Sequence, residues 1–197
     1  MKPIDITKQI LAMHEDEVMN NMLEEVKNEL VNQGITSIEI DKENGNMRLK
    51  SDLLFESGSA DIKKKGKKQI GMISKVLALK LKEEKYKTAI DTIFIEGHTD
   101  NVPISSYRYG RHWTNKELSS QRAINTFAVM NLETNNEIIT LKNIDNKSLF
   151  SYSGYADTRP LCDEDTNVCR NKNRRIEFYF TVNTPRLKNI KKEASSK

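Results

Sequence analysis

The segment Phe94-Ile-Glu-Gly-His-Thr-Asp100-Asn-Val-Pro-Ile104 is the most informative part of this chain, and Asn115-Lys-Glu-Leu-Ser-Ser-Gln-Arg122-Ala123 completes it after a short loop. The first segment is a β-rich apolar run that leads into a glycine-containing loop with an acid, Asp100. The second segment has the pattern of a helix that carries a base, Arg122. An acid and a base presented by adjacent elements suit a ligand that is charged at both ends. We therefore predict a pocket for a zwitterion between this strand and this helix.

The start of the helix is well specified, because Thr114-Asn-Lys-Glu117 is a candidate capping box. Ala123 and Phe127 recur at helical spacing and predict the face that packs on the core. Arg122 lies about 12 Å along the helix from its cap, at about 1.5 Å per residue, so its long side chain can swing toward the loop of Asp100. The residues alone leave two interpretations open. Either the two charges pair with each other or Asp100 caps a turn, or they grip the carboxylate and the ammonium of one ligand.

Hydrophobic periodicity in the rest of the chain predicts a β-α-β-α-β-β order after an N-terminal helix and a hairpin. The predicted elements are a helix over Ile4–Gln33 with Gly34 as its stop, hairpin strands Ile35–Ile40 and Met47–Ser51 around Asn44-Gly45, a helix over Asp61–Lys85, a strand over Thr92–Glu96, a loop to Trp113, a helix over Asn115–Met130, and strands Leu149–Tyr155 and Arg175–Val182. This alternation predicts an α/β (α+β) fold with a mixed sheet and helices on one face.

The N-terminal helix needs a surface for its apolar stripe, which contains Ile6, Ile10, Met13, Met22, Val26 and Leu30. It can pack on the domain, or it can pair with a second copy in a dimer. We divide the chain into a linker or dimerisation helix over 1–34, a binding domain over 35–184 and a basic disordered tail over 185–197.

Composition places the chain among soluble globular proteins, since 37% of its 197 residues are hydrophobic and 30% are charged. No window of about 18 apolar residues is present, and Met1–Lys8 lack the apolar core of a signal sequence. If the domain works outside the cytoplasm, we expect its export signal or membrane anchor to lie outside this chain. The net charge of +4 comes partly from the runs Lys63–Lys68 and Arg186–Lys192. Such runs are usually solvated faces, and without a nucleic-acid motif they predict no nucleic-acid partner.

Cys162 and Cys169 lie in a polar stretch between two predicted strands. Their spacing matches neither a zinc C-x-x-C nor a thioredoxin motif, and no histidine lies nearby in the sequence. A local disulfide is one interpretation; it would contribute about 2.5 kcal/mol on the chain-entropy model and imply an oxidising compartment. Two unpaired thiols in a cytosolic loop are the other.

No group of residues in the sequence predicts catalysis or a metal site. His98 follows Gly97 at a strand end and has no ligand-spaced partner, so we expect a structural hydrogen-bonding role for it. Ser119 and Ser120 lie near a helix start, but one histidine and a lone acid do not make a catalytic triad. We predict a protein that is not an enzyme and that needs no cofactor and no metal.

Five motifs of the chain resemble those of the OmpA-like peptidoglycan-binding domain. They are Phe55-x-x-Gly-Ser-Ala60, Gly97-His-Thr-Asp100, Asn115-x-x-Leu-Ser-x-x-Arg-Ala123, the turn from Gly154 to Pro160, and Asn173-Arg-Arg175. The resemblance covers about Leu53 to Val182 and implies the mixed sheet of that family, with helices on one face. It implies that Asp100 and Arg122 bind the free amino acid end of diaminopimelate in the peptidoglycan stem peptide. It also implies a pocket completed by Thr99, Asn101, Asn115, Leu118 and Ser119, with Arg174 close to it.

The loop after Asp100 is similar to that of B subunits of flagellar-type stator units, because an arginine- and aromatic-rich insertion, Tyr107–Trp113, follows it. This resemblance implies a periplasmic, homodimeric wall anchor of an ion-driven complex, either flagellar or an antiphage-defence relative. Its full-length protein would be anchored to the inner membrane beside an ion-channel partner subunit. The loop with Cys162 and Cys169 is closer to porin-type members. The wall-anchoring domain of an outer-membrane porin or lipoprotein, and a wall-modifying or lytic enzyme with the same pocket, remain alternatives.

Overall fold

The computed structural model describes residues 3–108 and 111–183, and the predicted tail over 185–197 lies outside them. The described elements are α1 (Pro3–Asn32), β1 (Ile38–Asp41), β2 (Asn46–Lys50), α2 (Ser51–Leu54), α3 (Lys64–Lys80), α4 (Glu84–Ala89), β3 (Ile90–His98), β4 (Ser106–Arg108), β5 (Arg111–Trp113), α5 (Asn115–Glu133), a 3-10 turn (Ile138–Thr140), β6 (Phe150–Ala156), α6 (Asn167–Asn173) and β7 (Arg175–Val182). Within these residues, no helix combines the length and the apolar character needed to cross a membrane.

Five strands form one mixed sheet in the order β1-β2-β7-β3-β6, and β4 pairs with β5 in a separate hairpin. Strand β3 runs parallel to β6, whereas the other neighbouring pairs are antiparallel. The β1–β2 hairpin turns at Gly45, whose φ of +67° is a conformation that glycine adopts without strain. The predicted mixed α/β sheet is therefore confirmed.

The two faces of the sheet carry different kinds of side chain. Ile93 and Ile95 of β3 are fully buried in a hydrophobic core that also contains residues of α3 and α5. Because side chains alternate along a strand, Glu96 and His98 point to the opposite face. They are nevertheless 5% and 1% exposed, so buried charge, rather than apolar packing, occupies that face near the end of β3.

The C-terminal half of α1 belongs to the same hydrophobic core as the sheet. Its buried residues are Met19, Met22, Leu23, Val26 and Leu30. The amino group of Lys80 in α3 donates to the Glu25 carboxylate, and chiefly through this bond the pKa of Glu25 falls to about 2. The apolar stripe of α1 therefore packs on its own domain from Met19 onward. Pairing with a second copy stays a prediction, and the side chains of Ile6 and Ile10 lie outside the described part of the chain.

Three local predictions need correction. The helix predicted over Asp61–Lys85 ends at Lys80, and a second helix, α4, begins at Glu84. Buried residues keep the 3.6-residue spacing from Ile70 to Leu81, but the next fully buried residue, Tyr86, is five positions on. The predicted loop to Trp113 contains the β4–β5 hairpin. Helix α6 was not predicted, since its seven residues are mostly polar and the helix is too short to show a period.

Candidate functional site

Close packing of α5 on the sheet brings the end of β3 beside the start of this helix. A Cβ atom at Gly97 would lie 2.8 Å from the carbonyl carbon of Ser119, and one at Gly154 would lie 2.6 Å from its hydroxyl oxygen. Strand β3 therefore needs glycine at position 97, and strand β6 needs it at position 154, because α5 crosses both strands there. The Ser119 hydroxyl accepts from the Ala156 amide at 3.0 Å and is fully buried. Ser119 consequently holds the helix on the sheet and does not face the cavity.

The predicted capping box is present at the start of α5. The Thr114 amide donates to a Glu117 carboxylate oxygen at 2.8 Å, and the Thr114 hydroxyl accepts from the Lys116 amide. The side-chain amide of Asn115 donates to the backbone oxygens of Asp100, at 3.3 Å, and of Val102, at 3.0 Å. The helix start thus fixes the loop that carries Asp100.

A cavity of about 430 Å³ lies between this loop, α5 and the segment after β2. Six of the eight residues predicted for the site line it: Thr99, Asp100, Asn115, Leu118, Arg122 and Arg174. Asn101 is exposed and lines a separate cleft of about 100 Å³, and Ser119 lies under the helix as described above. The fold therefore brings the acid and the base of the two motifs to one cavity, as the sequence predicts.

Arg122 is a buried cation at the wall of the cavity, 4% exposed. Its Nε donates to the Ser59 carbonyl at 2.9 Å and its Nη2 to the Glu56 carbonyl at 3.3 Å, and the guanidinium lies 4.8 Å from the centre of the Phe55 ring. No carboxylate in the described ranges forms an ion pair with it. The pKa of Arg122 is lowered to about 10, chiefly by burial and also by the nearby charge of Arg174, while the charge of Asp100 opposes both.

Asp100 is paired with Arg174, not with Arg122. Its Oδ2 accepts from Nη1 of Arg174, and its Oδ1 accepts from the Val102 amide at 3.2 Å. Asp100 is 8% exposed, whereas the side chain of Arg174 is 34% exposed, so the acid of this ion pair is buried and the base reaches water. The bond from the Val102 amide closes a turn at Asp100, as one interpretation from the sequence expects, whereas no direct Asp100–Arg122 ion pair is present among the described residues. The acid has a partner of its own, and the base has only neutral acceptors.

The segment from Ser51 to Lys63 forms a wall of the cavity, which the charges of Asp100 and Arg122 do not predict. Phe55, Glu56 and Gly58 line the cavity, and Arg122 bonds to two backbone carbonyls of this segment. The Phe55-x-x-Gly-Ser-Ala60 motif was the available signal. The motif identifies the segment by its resemblance to the family. The bonds from Arg122 go to backbone oxygens of the segment, however, and these cannot be predicted from the type of side chain.

A disulfide stabilises the part of the cavity wall that contains Arg170 and Arg174. Cys162 and Cys169 are joined by a disulfide, and Cys169 lies in α6, which carries Arg170 and is followed directly by Arg174. The Asn173 side chain holds the other end of this loop by accepting from the Leu161 amide at 2.8 Å. The backbone that presents Arg174 is therefore fixed at both ends of α6.

The sequence prediction for His98 needs correction, because neither ring nitrogen makes a hydrogen bond to a described residue. Its Nε2 lies 3.5 Å from carboxylate oxygens of Glu96 and Glu177, and burial lowers the pKa of His98. These three side chains have the donor atoms for a metal. However, Arg175 and Arg48 donate to the two Glu177 oxygens at 2.8 Å each. The cluster is thus better described as a buried ion-pair network.

Comparison with known proteins identifies the family. A model described as the OmpA family matches residues 54–174. The chain belongs to the OmpA family. Motility protein B of Bacillus subtilis is 30% identical over 132 residues, which are 67% of this chain and 43% of that protein. The uncharacterized protein YtxE of Bacillus subtilis is 33% identical over 132 residues, or 67% of this chain and 46% of that protein. The chain spans less than half the length of these relatives.

Solved structures show the same OmpA-family fold. The periplasmic domain of Helicobacter pylori MotB is 26% identical with a TM-score of 0.56, and the match covers 77% of this chain and 84% of that chain. The cell wall anchor of the T6SS from Pseudomonas aeruginosa has a TM-score of 0.56 at 21% identity, covering 77% and 92%. The second likeness is one of fold alone.

Proposed function

We propose that this OmpA-family domain binds peptidoglycan without catalysis, by gripping the free amino acid end of diaminopimelate in the stem peptide. One observation carries the proposal. Arg122 is a buried guanidinium that faces a cavity and has no carboxylate partner among the described residues. An uncompensated buried charge is costly, so a ligand carboxylate that reaches Arg122 replaces a missing interaction.

The geometry of the cavity suits an α-amino acid end. The Arg122 side chain is held in place by two carbonyls, so little flexibility is lost when it receives a carboxylate. Asp100, which lines the same cavity, is the acceptor for the ammonium. Charge-assisted hydrogen bonds contribute about 1.5–3 kcal/mol each, so the two together give specific binding of modest affinity.

The relatives support an anchoring role in a stator-like complex. The match to motility protein B, together with the likeness to the periplasmic domain of Helicobacter pylori MotB, favours a periplasmic domain that ties an ion-driven membrane complex to the cell wall. Within this proposal the protein is a homodimer, held at the inner membrane by a segment outside this chain and partnered there by an ion-channel subunit.

A pull-down with purified sacculi tests the proposal. Wild-type protein is expected to sediment with sacculi that contain diaminopimelate and to stay soluble with sacculi that contain lysine instead. The Asp100→Asn and Arg122→Ala variants are expected to lose at least about tenfold in affinity, because each removes a charge-assisted bond. Arg159→Ala is the matched control, since Arg159 is exposed and lies away from this cavity.

Two results would contradict the proposal. Undiminished binding by folded Arg122→Ala protein would show that the buried guanidinium does not hold the ligand. Release of soluble muropeptides during the same incubation would replace the anchor with the enzymatic alternative.

A further inference from the structure

Arg122 and Arg174, two of the three arginines that line the cavity, are held in different ways. Arg122 is 4% exposed and tied to two carbonyls, so its guanidinium is fixed. The side chain of Arg174 is 34% exposed, although its backbone is fixed by the Arg170 carbonyl and the Ser51 amide, each at 3.0 Å. Of these two, only the side chain of Arg174 can change partners while the wall around it stays in place.

In the structure, Arg174 occupies the place where a ligand ammonium would bind. Its Nη1 donates to Oδ2 of Asp100, and its Nη2 donates to Oδ1 of Asn171. Asp100 forms no other ion pair with a described residue, so Arg174 is the cation that balances this buried carboxylate. A ligand with an ammonium group must therefore compete with a cation that belongs to the protein itself.

We propose that Arg174 is the resident counter-ion of Asp100, and that the ammonium of the ligand displaces it. This inference rests on the proposed function of the cavity. Displacement exchanges one ion pair for another, so the amine adds less affinity in the wild-type protein than it would add without Arg174. The displaced guanidinium keeps its bond to Asn171 and has a route to water, because the side chain is partly exposed. Arg174 thereby sets how strongly the pocket selects ligands with a free amine.

Removal of Arg174 is expected to sharpen this selection. Without its counter-ion, Asp100 is a buried, uncompensated carboxylate, and a ligand ammonium then restores a missing charge partner. Selection is measured as the dissociation constant of an amine-blocked ligand divided by that of the free-amine ligand. A direct grip of Arg174 on the ligand carboxylate would have no such effect, because both ligands carry the same carboxylate.

The experiment measures this ratio by isothermal titration calorimetry for two probes. One is the stem tripeptide N-acetyl-L-alanyl-γ-D-glutamyl-meso-diaminopimelate, and the other is the same tripeptide acetylated also on the free amine of its diaminopimelate. Arg174→Met is expected to raise the ratio at least about tenfold over wild type, the effect of one charge-assisted bond. Arg174→Lys is expected to give a smaller increase, and Asp100→Asn a ratio near one. Arg159→Met is the control, with the wild-type ratio.

The outcomes separate this inference from the proposed function. Failure of both tripeptides to bind wild-type protein would overturn the proposed function and this inference with it. Binding with an unchanged or lower ratio in Arg174→Met would overturn this inference alone. An equal rise in Arg159→Met would also overturn it, because loss of any positive charge would then suffice. If Arg174→Met protein does not fold, as judged by its circular dichroism melt, the comparison of Arg174→Lys with wild type decides.

Discussion

Substitution of Gly97 by alanine tests whether close contact between β3 and α5 positions the site. The new Cβ would lie 2.8 Å from the carbonyl carbon of Ser119, whereas ordinary contacts begin at 3.4 Å. The Ser119 carbonyl oxygen would lie closer still, so the helix backbone must move by more than the difference of about 0.6 Å, and no rotamer change can relieve the overlap. Overpacking of this kind costs about 3 kcal/mol when backbone must move, which lowers Tm by about 6–12 °C in a chain of this size.

Gly71→Ala is the matched control, because its Cβ would meet only the end of the flexible Glu133 side chain, at 2.8 Å. Gly71 lies inside α3, where alanine is favoured over glycine by about 0.5–1 kcal/mol. Urea unfolding of both variants should therefore give changes of opposite sign or very different size. A free energy of unfolding for Gly97→Ala within about 0.5 kcal/mol of wild type would refute the reasoning. Ligand binding by Gly97→Ala should weaken as well, since Asp100 and Arg122 are carried by the two elements that separate.

Two further predictions concern stability away from the cavity. Burial lowers the pKa of His98 below its ordinary value of 6.5. Between the pKa of the folded state and 6.5, the unfolded chain therefore binds more protons than the folded one. Stability should therefore fall as pH drops below about 6.5, and this part of the pH dependence should be missing in His98→Gln when urea unfolding is followed from pH 8 to pH 5; identical slopes would contradict it. Leu23→Ala in α1 should destabilise the domain by about 2–5 kcal/mol, because Leu23 is fully buried. A change below about 0.5 kcal/mol by the same measurement would show that α1 is not part of the folding unit.

The parts of the site that were predicted from sequence are those with local signals. The capping box fixes the start of α5, and glycine at 97 allows the helix to lie against β3, so Asp100 and Arg122 meet at one cavity. These signals lie within a few residues of the elements they determine. Periodicity was sufficient for the mixed sheet for the same reason.

The partners of the two charges could not be predicted, because they come from distant parts of the chain. Asp100 pairs with Arg174, which is 74 positions away, and Arg122 bonds to backbone oxygens at positions 63 and 66 residues away. A carbonyl acceptor is present at every residue, so no residue type marks it. The division of the helix over Asp61–Lys85 was missed because a five-residue step between buried positions is a weak signal within a long polar segment.

The docking of α1 on the core has a mechanical consequence. A pull applied along the axis of this helix would load Met19, Met22, Leu23, Val26 and Leu30 in shear, all at once, together with the Glu25–Lys80 contact. In shear, all the interdigitated side chains must lose their contacts at the same time, whereas a helix pulled away from one end loses these contacts one after another. If tension enters the domain through α1, the sheet and the ligand cavity therefore bear no load until the contact between α1 and the core has broken along its whole length.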